Sequence, residues 1–508
     1  MRSRRHFIPF IIIVAAFGVS RILAYTHGLG FYFNSINVAM QVVDVELLKT
    51  DLVRSLFYLH DQPPLFNLFL GLVLKAFPAA YAAVFHACYL VMGLVLAFSV
   101  YGLMERMGVK HGLGTCLAVI FVISPSTLVY ENTLFYTYPV AVMLALSALL
   151  LYFFVARGNT LYGAGFFLLL ATVIYTRGTY HWVWFLGVTA TVLLVSRKIL
   201  SYKRVLYAAA LPAALIAALC CKNMAIFGEP ATCTGSWTWM SLMTSFRIPE
   251  EERKALVEEG KLSPLSYHFH PYGQVEAFYE RFSDIVSDTG IPVLDMPRKH
   301  NGLVNYHNII YVIVNDVYRD DVLFTLKCYP GYYLAAVKDS AERFFLPGPS
   351  NYYGEGFNEI MLDSLGWYAE IYDKFFLLRI LPYTDKWTYL FGHPRYETRH
   401  ALFWLLVYPM IMVYMLIAIV RKAVTAVPGD TAGTAVMAFM WITIMYTMTA
   451  VILVSSATNN RYRYPLEGFI FVFLGMFISD VARWIKALYR DMPARHGPGI
   501  ANDKKGDA

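Results

Sequence analysis

Gln41-Val-Val-Asp44-Val-Glu46-Leu-Leu-Lys-Thr-Asp51-Leu-Val-Arg-Ser-Leu-Phe-Tyr-Leu-His60-Asp61-Gln62-Pro-Pro-Leu-Phe66 carries four carboxylates, at Asp44, Glu46, Asp51 and Asp61, and closes on a proline pair. At 100° per residue, Val45, Leu48, Leu52, Leu56 and Leu59 fall on one stripe, with Asp44 and Asp51 at its edge. The pattern predicts a helix lying on a membrane, its acids turned toward an aqueous cleft.

The sequence around this stretch is apolar. Of 508 residues, 58% are hydrophobic and 15% charged, with a mean hydropathy of +0.49. A soluble domain carries about 25% charged residues, so the composition predicts an all-α polytopic membrane protein. Apolar windows of about 20 residues fall at Phe7 to Leu23, Tyr81 to Met104, Leu113 to Val129, Tyr138 to Val155, Tyr162 to Tyr175, Trp182 to Val195, Val205 to Cys221, Leu402 to Val420, Ala435 to Val454 and Leu466 to Ala482. The segment from Pro64 to Phe77 would reach roughly 21 Å as a helix against a core of about 30 Å. It reads as a short or re-entrant piece on the outer side, for about ten to twelve transmembrane helices in all.

The net charge of +7 is not a nucleic-acid patch. Arg2 to Arg5, Arg106 with Lys110, Arg157, Arg197-Lys198 to Lys203-Arg204, Arg421-Lys422, and Arg483, Lys486 and Arg490 all fall on one side of the alternating spans. The positive-inside pattern makes that side cytoplasmic, with both termini on it. The basic start and the apolar run after it lack a small-x-small cleavage site, which predicts an uncleaved first span.

Four divisions follow: an N-terminal transmembrane module over 1–222 with an outer loop at 24–62, an extracytoplasmic insert of mixed structure over 223–399, a C-terminal transmembrane module over 400–490, and a polar, disordered tail over 491–508. Cys88, Cys116, Cys220 and Cys221 sit in apolar segments as packing residues. Cys233 and Cys328 share the insert, where a bridge is chemically permitted and two free thiols are the alternative.

Ionisable groups avoid the middles of the spans and gather at their outer ends. An ion-coupled carrier places charges near the midplane; charges at the outer face fit a lipid-borne substrate better. Asp44 and Glu46 form an acidic pair suited to taking a proton from an acceptor hydroxyl while cations stabilise a leaving phosphate. Both equally suit the solvated face of a surface helix. His60 and Gln62 precede the prolines, which fix the backbone where a polar loop enters the apolar phase. In Asn459-Asn460-Arg461-Tyr462-Arg463-Tyr464-Pro465, alternating Arg and Tyr suit phosphate and sugar or lipid. Arg177, His181, Lys222 and Glu131 lie at other outer turns as candidate substrate contacts, with interfacial anchoring as the bland alternative. Asn301, Asn305, His307 and Asn308 could contact an acceptor or simply build turns. No Gly-rich phosphate loop, Ser-His-Asp order or zinc spacing occurs, and no metal site is assigned.

The acidic pair in the first outer loop, the Pro-Pro-Leu at the next helix start and Asn-Arg-Tyr-Arg-Tyr-Pro before the last span together resemble the GT-C membrane glycosyltransferases. Within these the likeness is to the dolichyl-phosphate-mannose protein mannosyltransferase and aminoarabinose transferase group. Lys222-Asn-Met-Ala-Ile-Phe-Gly228 and Thr234-Gly-Ser-Trp-Thr-Trp-Met240 look like bacterial members. The resemblance implies an inverting transfer of a sugar from a polyprenyl-phosphate donor to a hydroxyl acceptor on a glycan, lipid or protein, at the extracytoplasmic face of a bacterial cytoplasmic membrane. It puts the base on Asp44 and the second acid on Glu46. Metal dependence varies across the fold, so no cofactor is assigned and a divalent cation stays open. Two departures stand out: Val45 separates the acids, and Gln62 stands where a His or Lys often precedes the prolines. A flippase for lipid-linked sugars, or a nonenzymatic subunit of a glycan-assembly complex, would share the same apolar bulk.

Overall fold

The computed structural model describes residues 2–268, 275–282, 288–346, 355–379, 401–425, 430–455 and 459–491. The end of the expected insert, 380–400, and the expected tail beyond 491 lie outside the described residues. Within them the chain is helical, with three isolated bridges and no strand.

The helices used below are α1 (Arg2–Thr26), α2 (Val45–Thr50), α3 (Leu65–Ala76), α4 (Tyr81–Arg106), α5 (His111–Val122), α6 (Pro125–Glu131), α7 (Thr137–Arg157), α8 (Thr160–Thr176), α9 (Trp182–Ser196), α10 (Tyr202–Phe227), α11 (Ile310–Cys328), α12 (Pro330–Phe345), α13 (Glu355–Phe376), α14 (Tyr408–Thr425), α15 (Thr431–Val454) and α16 (Asn459–Asp491). Among the described residues, seven helices are long and apolar enough to cross a membrane, or eight if α5 and α6, bent by 55°, form one span. The bend sits where Pro125 cannot continue the α5 ladder, and Ser124 caps the new helix by accepting from Thr127 N–H.

The expected segments at Tyr162 to Tyr175 and Trp182 to Val195 are helices of 17 and 15 residues. At 1.5 Å per residue they reach roughly 26 and 22 Å, short of a core of about 30 Å. Each still runs between the end of the bundle where Arg157, Arg197 and Lys198 lie and the end where Arg177 and His181 lie. The 12-residue α3 reaches roughly 18 Å, well short of a core of about 30 Å, and a four-residue link joins it to α4.

The opening stretch is not one helix. It divides at Asp51, whose φ and ψ of −131° and 46° break the ladder between α2 and a second short helix, Leu52–Phe57. The stripe survives the break: Leu48, Leu52 and Leu59 are buried in the main core. The side chain of Leu52 packs so closely on Gly71 of α3 that a Cβ there would approach it to 2.3 Å.

The described part of the expected insert is built of helices and loops, with one isolated bridge between Arg298 and Val304. Small apolar clusters form around Leu265, Phe278, Val314 and Tyr318, and around Ile248, Leu256 and Leu262. It is fastened to the bundle by polar contacts. Ser340 of α12 donates to the Ser455 carbonyl at 2.7 Å, and Tyr368 and Tyr372 of α13 donate to the Ile123 and Ile120 carbonyls at the α5 end. Cys233 and Cys328 are both free thiols.

Candidate functional site

The turn His60-Asp61-Gln62 is held from three directions. His60 is 1% exposed, with Nδ1 2.7 Å from Thr234 Oγ1 and Nε2 3.0 Å from the His307 carbonyl. A carbonyl only accepts, so Nε2 carries the proton and Nδ1 accepts from the threonine. Burial holds this imidazole down to about 4, so it stays neutral in this arrangement. Thr234 N–H donates to the His60 carbonyl at 2.8 Å, and Lys222 Nζ donates to the Phe57 and Leu59 carbonyls at 3.0 and 2.9 Å. Pro63 and Pro64, which carry no N–H of their own, lead into α3.

Asp61, thus fixed, lines a cavity of about 250 Å³ together with Gln62, Arg177, His181 and Tyr462. Arg177 follows the last residue of α8 in extended conformation and is 2% exposed. Its Cζ lies 4.0 Å from the Tyr462 ring centroid and 5.3 Å from that of Tyr136. Its Nε and Nη2 are buried with no hydrogen-bond partner among the described residues. Arg461, at the start of α16, lies near the same aromatic group, with Cζ 5.0 Å from the Phe135 ring centroid and 5.4 Å from that of Tyr462. Both guanidiniums therefore stand near the Tyr462 ring, but of the two only Arg177 lines the chamber that also holds a carboxylate.

A buried donor without a partner costs roughly 1–3 kcal/mol, more when charged, and stacking on the Tyr462 and Tyr136 rings offsets part of that cost at Arg177. Burial pushes the Asp61 carboxyl up to about 7, against the one stabilising contact from Gln62 Nε2 at 3.3 Å. Such a group can accept and return a proton near neutrality. Asp61 also borders a second, water-sized recess lined by Thr234, Thr238, Tyr306 and Tyr311 of the insert. Gly235, at φ +85°, leaves room there: a Cβ would stand 3.0 Å from Asp61 Oδ1. The carboxyl thus lies between the chamber, floored by Ala450, Val451 and Val454 of α15, and the insert.

Other sequence-predicted residues serve the frame. Asp44 caps α2, Oδ1 accepting from Glu46 and Leu47 N–H at 3.0 and 3.1 Å, and Oδ2 from His300 N–H at 2.8 Å. Although burial opposes it, these amide bonds hold its carboxyl below the usual range. Asp44 does not line the chamber, so the candidate base moves to Asp61. Glu46 is exposed and pairs with Lys49 at 2.9 Å. Glu131, 0% exposed, is gripped by Arg21 Nε and Nη2 at 2.8 and 2.7 Å and by Tyr138 Oη at 2.7 Å. Arg463 donates to the Phe344 and Leu346 carbonyls and to Glu467, its Cζ 3.8 Å over the Trp404 ring. Tyr464 is buried against Tyr130 and Tyr138, Asn460 is buried beside Arg461, and Lys222 braces the turn as described. Asn305 and Asn308 donate to insert carbonyls, Asn301 donates to the Asn37 carbonyl, and His307 is fully buried behind His60.

Read alone, the sequence assigned no role to Tyr136 or Lys299, and none of its own to Asp61. Lys299 is 5% exposed, with Nζ donating to the Ala39 and Val42 carbonyls at 3.0 and 2.8 Å. Burial brings its amine down to about 8, the Asp44 charge opposing. The available signal was Lys299-His300 in the polar stretch of the insert, which supplies both contacts to the first outer loop. No family model, no curated protein and no solved structure matches the chain.

Proposed function

We propose that this protein is a glycosyltransferase that takes a sugar from a polyprenyl-phosphate carrier and passes it to a hydroxyl acceptor at the extracytoplasmic face of the membrane. The observation that carries the reading is the pairing of Asp61 with the partnerless donors of Arg177 in one chamber at the ends of apolar helices.

The acceptor oxygen attacks the anomeric carbon as its proton passes to Asp61, and the bond from that carbon to the carrier phosphate breaks. The electron pair leaves with the phosphate oxygen, whose added charge meets Arg177 and Arg461. Tyr462 and Tyr136 hold the guanidiniums in place and supply aromatic faces, while the apolar α15 floor suits the carrier chain. Asp44, His60, Lys222 and Lys299 are positioning residues: they fix the loop that presents Asp61. One carboxylate suffices for an inverting displacement, so Glu46 has no part.

The test is mass spectrometry of lipid retained by the purified protein, wild type against Asp61→Asn and Arg177→Gln. A polyprenyl phosphate retained by the wild type and by Asp61→Asn, and lost in Arg177→Gln, supports the reading. Equal retention by all three, or turnover by Asp61→Asn, removes it.

A further inference from the structure

At the end of the bundle away from the chamber, a cavity of about 490 Å³ opens between the C-terminal ends of α9 and α14 and the first turn of α15. Arg197 and Lys198 line it, both exposed, and among the described residues neither has an ion-pair partner. Lys422 adds a third cation, and among the described residues the one carboxylate lining the groove with these three is Asp430, paired with Lys422 at 2.6 Å. Two positive charges are left uncompensated.

Two further features give the ligand its character. Thr431 and Thr434 bring the first turn of a 24-residue helix to the wall, and the residue before it, Asp430, makes no side-chain cap there. The N-terminal N–H groups and the positive end of the helix dipole therefore add to the cationic field. The rim is apolar: Leu194 and Val424 are 66% and 78% exposed. A free anion has no use for such a rim, whereas an acyl chain does.

We propose that this groove binds the phosphate headgroup of an anionic membrane lipid, with its acyl chains lying along Leu194 and Val424. The occupant is separate from any substrate of the chamber, since α9 carries the two sites at opposite ends. A lipid seated here would tie α9 to α14 and α15, the first and last of which reach the chamber through His181 and Tyr446.

The full-length protein in detergent is titrated with phosphatidylglycerol or phosphatidylcholine and the bound lipid counted by native mass spectrometry. Phosphatidylglycerol is expected to bind the more tightly. Each cation removed should cost about fivefold, so Arg197→Gln with Lys198→Gln should weaken it about 25-fold. Arg157→Gln, at the same end but packed on Phe153 and Tyr162 outside the groove, should leave it unchanged. An equal loss in Arg157→Gln, equal binding of the two lipids, or displacement by millimolar inorganic phosphate overturns the proposal. Phosphatidylglycerol retention by the wild type should also fall as salt is raised, a test that needs no variant; a flat response overturns the proposal.

Discussion

Asp44 Oδ1 lies 2.8 Å from His300 Nδ1, and Oδ2 accepts His300 N–H at the same distance, across 256 residues of chain. The contact docks the Lys299-His300 stretch on the loop that follows α1 through a helix cap, and this explains why a carboxylate stands at the start of α2.

Asp44→Ala should therefore act on stability more than on chemistry. A lost cap costs about 0.5–2 kcal/mol and a lost hydrogen bond to a charged group about 1.5–3, so a thermal shift of several degrees is expected. The folded carboxyl titrates below its unfolded value, so its contribution is fully present above about pH 5 and disappears as pH falls through the folded value. Thermal unfolding of wild type and variant between pH 3 and 7 should converge at the acid end; a constant gap would contradict this.

Asp61 has the opposite sign. Its carboxyl is raised to about 7, so folding favours the protonated form, and the stability it brings at low pH is lost as pH rises through that range. Asp61→Asn should be at least as stable as wild type at pH 8 while losing turnover. The wild-type rate should rise with pH along a limb near 7, because only the ionised group takes a proton. A rate independent of pH between 5 and 8 would assign the proton transfer elsewhere.

Arg463 and Arg177 should separate. Arg463 holds two backbone carbonyls and Glu467; Arg463→Gln strips a buried carboxylate of its partner, at a cost of about 3–5 kcal/mol. Arg177 leaves two donors unmade, so Arg177→Gln should be neutral or stabilising while retained lipid phosphate falls at least about tenfold. Denaturation and lipid retention measured on both variants would show the crossing; parallel losses would mean that Arg177 is structural.

The Arg21–Glu131 pair ties α1 to α6 inside the core. Glu131→Gln should destabilise by about 3–5 kcal/mol, and Arg21→Met with Glu131→Leu by much less, because the double change leaves no buried charge behind. A double-mutant cycle read by thermal unfolding tests this; additive losses would refute the coupling.

The apolar helices were legible in the sequence as segments, though not to their exact ends, because their causes are local. A run of apolar residues too long for water, a proline that ends a ladder, and basic residues collected at alternate turns each act within a few positions. The stripe from Val45 to Leu59 was legible for the same reason. What the spacing could not say was which of its acids is a cap and which faces the chamber. Asp44 and Asp61 look alike in the chain; one meets His300 and the amides of α2, the other meets a cavity shared with Arg177, and those neighbours arrive from residues far away. The same holds for Arg461 and Arg463, two positions apart on a helix and so turned about 200° from one another, one toward Tyr462 and the other into Trp404 and the end of α12. Local propensity determined the helices and the end of the bundle where charge collects. Only tertiary packing, by choosing which charges find partners and which do not, decided where chemistry can take place.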